Sequence, residues 1–178
     1  MKTQPVILMS ILLIGLVIPA VAYAAKPQTI TKNMQGSFQG AFTVTPFEEL
    51  DGDGNWGMIT AEGKGKFMHL GLSNLAFDMK AKSAEDYSYD TLIGTITITA
   101  ANGDKIMADF SGIITYINVD ADLTLGNFDG TYTISGGNGR FNGASSGPNN
   151  INFVARIGPD HLSGSFGGNL GGNIILPK

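Results

Sequence analysis

The chain contains no cysteine. Disulfides, thiolate metal sites and a cysteine-linked lipid anchor are therefore all excluded, and a secreted fold would have to stand on its hydrophobic core. Histidine is almost as scarce. His69 and His161 are the only two, and neither has a second His or a carboxylate at metal-ligand spacing, so a zinc site is poorly supported. A hydrolase triad lacks its frame as well, because no Gly-x-Ser-x-Gly elbow precedes a helix and Gly164-Ser165-Phe166-Gly167 reads as strand. Both histidines are expected in turns or at a rim. Basic residues are few and unclustered, which argues against a nucleic-acid partner. No window shows a helical stripe, and no repeat appears at a period of about 20–50 residues.

Long apolar runs are also missing, with one exception at the start. Lys2 precedes Val6 to Val17, an almost wholly apolar stretch, and Pro19 and Ala22-Tyr23-Ala24 follow. A basic end, a short apolar run and a small-x-small site have the form of a signal peptide, and the run is short for a membrane span of about 20 residues. The expectation is export, with residues 1–24 removed after Ala24 and residues 25–178 forming a single domain with no membrane span. The uncleaved anchor is the alternative. The mature chain would carry 10 basic and 15 acidic residues, a net charge of −5 that suits solubility.

Glycine is abundant. The chain has 25, scattered among Thr, Ile and Phe without a Gly-X-Y period, which points to many strands and tight turns rather than collagen. The clearest strand is 91–99, where Leu92, Ile96 and Ile98 share one face and Thr95, Thr97 and Thr99 the other. Asn102-Gly103-Asp104 ends it with turn chemistry that calls for positive φ angles. The partner strand, 106–117, places Ile106, Ala108, Phe110, Ile114 and Tyr116 on one face. Further strands are expected at 37–44, 58–68, 70–81, 128–134, 150–157 and 162–170. Their shared faces include Phe38 with Phe42, Phe77 with Met79, Phe153 with Ala155, and Leu162 with Phe166 and Leu170. Gly63 and Gly65 suggest a bulge or bend, and a short helical turn fits 143–146.

About eight antiparallel strands leave an all-β closed barrel, calycin-like, or a two-sheet sandwich as the alternative. Glycines within strands, at 63, 65, 164, 167 and 168, favour the coiled barrel. Ile96, Ile98, Phe110, Tyr132, Ile134, Phe141, Phe153 and Phe166 are its expected core.

The segment from Gly130 to Ser145, with Gly136-Gly137-Asn138-Gly139-Arg140-Phe141 at its centre, resembles the strand and Gly-Gly-Thr-Gly-x-Phe segment of allene oxide cyclases and dirigent-type barrels. Asn138 replaces the more usual Thr. Gly65 to Gly71, and Gly94-Thr95 through Ala100 to Asp104, look like bacterial secreted relatives of that group. The resemblance implies an eight-stranded antiparallel barrel with an apolar interior. In the plant enzymes such a cavity steers a reactive small molecule with a few polar residues; none of those catalytic residues is carried over to this chain. The Gly136–Gly139 run has two readings, a phosphate cradle or a barrel turn with Phe141 plugging one end. A phosphate loop requires a following helix, and none is expected here.

Asp51, Asp53, Asn55 and Glu62 fall at positions 1, 3, 5 and 12 of a calcium-loop pattern, but Trp56 stands where that loop needs Gly. The competing reading is an acidic hairpin connection that folds without metal. Asp109 and Arg156 are charges within apolar strands, and the period-two rule places both on the outer face. Trp56, Tyr87 and Tyr89 are aromatic residues suited to a barrel mouth. Two function classes remain: a module that binds a small hydrophobic molecule or acts structurally, and a cyclase- or dirigent-type enzyme. The first is preferred because no catalytic constellation can be named, and no cofactor or metal is called for.

Overall fold

The computed structural model describes residues 28–85 and 88–178. The expected signal segment and Tyr87 lie outside the described residues. Eight strands follow one another: β1 (Thr29–Pro46), β2 (Gly57–Phe67), β3 (Gly71–Ser83), β4 (Tyr89–Ala100), β5 (Lys105–Asn118), β6 (Thr124–Gly137), β7 (Asn149–Ile157) and β8 (Ser163–Pro177). Each pairs antiparallel with the next, and β8 pairs back onto β1, which closes the barrel. The sandwich alternative is thereby removed.

All eight expected strands are present, and most are longer than the sequence pattern suggested. The largest extensions are at the seam. Thr29 to Gly36 pairs with Leu170 to Pro177, continuing the β1–β8 ladder beyond the segments that alternate clearly. Closure gives these polar and glycine-rich ends a partner, which removes the unpaired edge they would otherwise expose.

Alternation assigns the faces. Inward positions hold Phe38, Phe77, Ile96, Phe110, Phe128, Tyr132, Phe153 and Phe166, all buried. Outward positions hold Lys64, Asp78, Lys80, Asp109, Asn152 and Arg156 together with exposed apolar residues such as Ile93, Met107, Ile113 and Val154, so the inside is apolar and the outside mixed. Leu162 is the exception among the expected inward residues. It sits before β8 begins and is exposed, because the β7–β8 turn is still running at that position.

Six phenylalanine rings meet across the lumen. Phe77 packs edge-on to Phe166 at 5.5 Å and to Phe110 at 6.0 Å, and Phe128 stacks on Phe153 at 4.4 Å. Glycine makes room for them. Gly112 and Gly130 face each other across β5 and β6, and a Cβ on either would lie 2.6 Å from the Phe128 ring. Gly63 and Gly65 keep their register with β1 and β3 without a bulge; the one irregularity in the ladders falls between Met107 and Ala108.

The two ends of the barrel differ. At one end, a short 3-10 turn (Gly139–Phe141) buries Phe141. Arg140 lies 4.9 Å over the Phe141 ring and pairs with Asp104 of the β4–β5 turn at 3.2 Å. Ser145 exchanges backbone hydrogen bonds with Ile175, tying the same loop to the end of β8. Phe141 is therefore a plug, and the helical turn lies a few residues earlier than the expected 143–146. The β4–β5 hairpin also differs in detail. Gly103 alone has positive φ, 88°, while Asn102 turns its side chain onto Asp104. The loop is a three-residue turn with glycine at the left-handed position, not a two-residue Asn-Gly turn.

Candidate functional site

The opposite end is less filled. A cavity of about 290 Å³ opens there. Its size is near the lower limit for small-molecule sites, and eight-stranded barrels either fill their lumen or leave room for one small ligand. Phe77, Phe153 and Phe166 belong to both the ring cluster and the cavity lining, so the ring cluster is its floor. The walls rise through Ile59, Met79, Leu92 and Ile114 to a mouth formed by Trp56, Tyr116, Asn118, Thr124 and His161. A larger groove lies on the outer face over β2, β3 and β4, but polar side chains such as Glu62, Lys64, Asn74 and Thr99 line it and nothing encloses it.

Among the described residues, one carboxylate lines the cavity. Asp90, the second residue of β4, has the same inward parity as Leu92 and Ile96 and is only 7% exposed. Ser83 Oγ donates to its Oδ1 and Tyr116 Oη to its Oδ2, both at 2.6 Å. Register explains the meeting: Asp90 pairs with Ile114, and Tyr116 is the next inward residue along β5, while Ser83 pairs with Asp90 across β3. Tyr116 is 38% exposed as a residue at the rim, yet its hydroxyl is turned inward onto the carboxylate. Desolvation first, then the hydrogen bond to Asp90 and its charge, hold the Tyr116 phenol well above the ordinary tyrosine range. It therefore stays a neutral donor at neutral pH.

The other polar groups are fewer. Thr124 Oγ1 donates to Asn118 Oδ1 at 2.9 Å, which ties the ends of β5 and β6 together at the mouth. Trp56 is held over the opening by its backbone, with its N–H on Ala81 O and its C=O accepting from Phe47 N–H, both at 2.9 Å. Its indole Nε1 is buried without a hydrogen-bond partner among the described residues. Deeper in the lumen the Tyr132 hydroxyl is also unpartnered, lying near Asn149 without reaching hydrogen-bond geometry, and burial pushes its phenol up to about 12.

The candidate residues from the sequence are dispersed. Asp51 folds its loop on itself. Its carboxylate accepts from the backbone N–H of Asp53 and Asn55, from the Asn55 side chain, and from Lys80 Nζ at 2.8 Å. Lys80, then Asn55, hold its carboxyl well below the usual range. Lys80 thus occupies the place at Asp51 that a cation would take, and Glu62 lies on the outer face of β2, paired between Ala41 and Ala76. Among the described residues, no group of three or more His, Asp or Glu side chains is placed to hold a metal. His69 and His161 both occupy turns with left-handed backbone, φ 70° and 56°, at opposite ends of the barrel. Asp109 and Arg156 are exposed on the outer face. Gly136 and Gly137 end β6 and lead into the Phe141 plug. Trp56 is at the mouth, and Tyr89 is outward.

Sequence reasoning missed Asp90 because the recognised strand began at Thr91. The signal was available: Asp90 lies two residues before Leu92 and so shares its face.

Fold and cavity together define a small up-and-down β-barrel, closed by a plug at one end and open to an apolar pocket at the other. Neither a family model nor a curated protein matches the chain.

Proposed function

We propose that this protein is an exported barrel that holds one small, largely apolar molecule in the cavity at its open end. The observation that carries this reading is the cavity itself, an apolar chamber on a floor of phenylalanine rings with the buried Asp90 carboxylate in its wall. A barrel serving only as a scaffold gains stability by filling such a space, since unfilled core volume is destabilising. Export rests on the N-terminal sequence: the intact mass of the protein recovered outside the cytoplasm should begin at Ala25, and retention of residues 1–24 in a membrane fraction would overturn it.

Binding is tested with the neutral apolar fluorophore N-phenyl-1-naphthylamine. Saturable one-to-one binding is expected, quenching or shifting the emission of Trp56, the sole tryptophan. Ala155→Phe, which fills the cavity from its wall, should abolish binding while leaving a cooperative unfolding transition. Equal binding by the filled variant, or none by the unaltered protein, refutes the reading.

A second reading, a cyclase- or dirigent-type enzyme, draws on the sequence resemblance and on the Asp90–Tyr116 pair, since a carboxylate at a cavity wall can serve as a general base. Chemically unchanged recovery of a bound natural ligand favours the binder, and conversion favours the enzyme.

A further inference from the structure

The cavity has a charge asymmetry. Among the described residues, no lysine or arginine lines it and Asp90 is its one carboxylate. The neighbouring cations on β3 are committed elsewhere: Lys80 Nζ to Asp51, and Lys82 Nζ to Asp53 O, each at 2.8 Å, and both side chains belong to the outer face. His161, at the exposed mouth, makes no ion pair with Asp90, and among the described residues the ion pairs join Lys80 to Asp51 and Arg140 to Asp104. A carboxylate out of water is costly unless donors or a counter-charge satisfy it. Among the described residues, Ser83 and Tyr116 supply one donor to each oxygen, which leaves acceptor capacity on the carboxylate and no cation paired with it.

On the reading of the cavity as a ligand site, we infer that its ligand is a small amphiphile with a protonated amine, the apolar part on the phenylalanine floor and the ammonium on Asp90. A metal ion fits the same carboxylate poorly. Calcium takes six to eight oxygen ligands, whereas among the described residues a single carboxylate stands here beside two hydroxyls that donate to it. An ammonium presents three donors and needs no cage, and its hydrogen bond to a carboxylate strengthens where water is excluded. A fatty acid or other anion would instead bring like charge to Asp90.

The test is competition at pH 7 between bound N-phenyl-1-naphthylamine and three chains of equal length: octylammonium, 1-octanol and octanoate. Octylammonium should displace the fluorophore at a concentration roughly tenfold or more below that of 1-octanol, as a charge-assisted hydrogen bond predicts, with octanoate weakest. In Asp90→Asn the advantage of the amine over the alcohol should shrink to about twofold or less. Tyr116→Phe, which retains the carboxylate and frees one of its acceptor sites, should keep or enlarge the preference, and this variant decides the matter should Asp90→Asn fail to fold. Equal displacement by octylammonium and 1-octanol, or an unchanged preference in Asp90→Asn, overturns the amine assignment while leaving the apolar site intact. Failure of the fluorophore itself to bind is the separate failure of the cavity reading.

Discussion

Tyr116 and Asp90 meet on the diagonal between β5 and β4, the phenol donating to the carboxylate at 2.6 Å where the lumen opens. The contact joins the cavity's carboxylate to its rim. Both partners come from strand ends, so their separation reports whether the open end of the barrel is in register.

Tyr116→Phe removes one of the two donors to a buried acid, and a loss of about 1–3 kcal/mol at neutral pH is expected from denaturant unfolding. The pH dependence has a definite sign. Because the folded protein holds the Tyr116 proton more tightly than the unfolded chain does, this contribution is complete below about pH 10 and declines as pH rises beyond it. The variant should lose stability less steeply above pH 10. What slope remains belongs in part to Tyr132, whose phenol is pushed up to about 12.

Phe110→Ala tests the facing of the central strands. Phe110 is 3% exposed and packs edge-on against Phe77 and Phe128. Its truncation should cost about 3–5 kcal/mol. Thr97→Ala, on the outer face of β4, should stay within about 0.5 kcal/mol of the unaltered protein. Equal losses for the two would mean that the faces are misassigned.

Glycine tolerance should separate sharply by position. A Cβ at Gly112 would meet Gly130 Cα at 2.5 Å and the Phe128 ring at 2.6 Å, whereas one at Gly171 meets nothing within 4 Å. Gly112→Ala is expected to lower stability by roughly 2 kcal/mol or more, because backbone and a packed ring must both shift. Gly171→Ala should be close to neutral. Thermal unfolding of the two variants side by side is sufficient.

The Asp51 loop makes a prediction in acid. Its carboxyl is held below the unfolded value by Lys80 first and Asn55 second, so its contribution is complete above about pH 4 and is lost as pH falls below that. Asp51→Asn should flatten the acid side of the stability profile, and should also flatten the alkaline side above about pH 10, because Asp51 raises the Lys80 ammonium through their hydrogen bond and charge. Millimolar calcium should not raise the melting temperature, since Lys80 already neutralises the carboxylate. A rise of many degrees that disappears in Asp51→Asn would contradict this.

Much of the molecule was legible in one dimension. The pleat sends successive side chains to opposite faces, so Leu92, Ile96 and Ile98, and likewise Ile106, Ala108 and Phe110, declare a buried face from local spacing alone. Asp109 and Arg156 follow to the outside by the same rule. Phe141, after the glycines of 136–139, could be read as a plug because that run lacks the long following helix a phosphate loop needs, and a short 3-10 turn buries it there. Closure was beyond local reasoning. The β1–β8 seam joins residues at opposite ends of the chain, and its outer portion, from Thr29 to Gly36 against Leu170 to Pro177, lacks sustained alternation. The cavity was equally hidden. Asp90 and Tyr116 are 26 residues apart, and Ser83 reaches the same carboxylate from a third strand. Backbone geometry dictates which way each side chain points from its immediate neighbours, but which side chains then face one another depends on the stagger of whole strands, and only the closed barrel sets that.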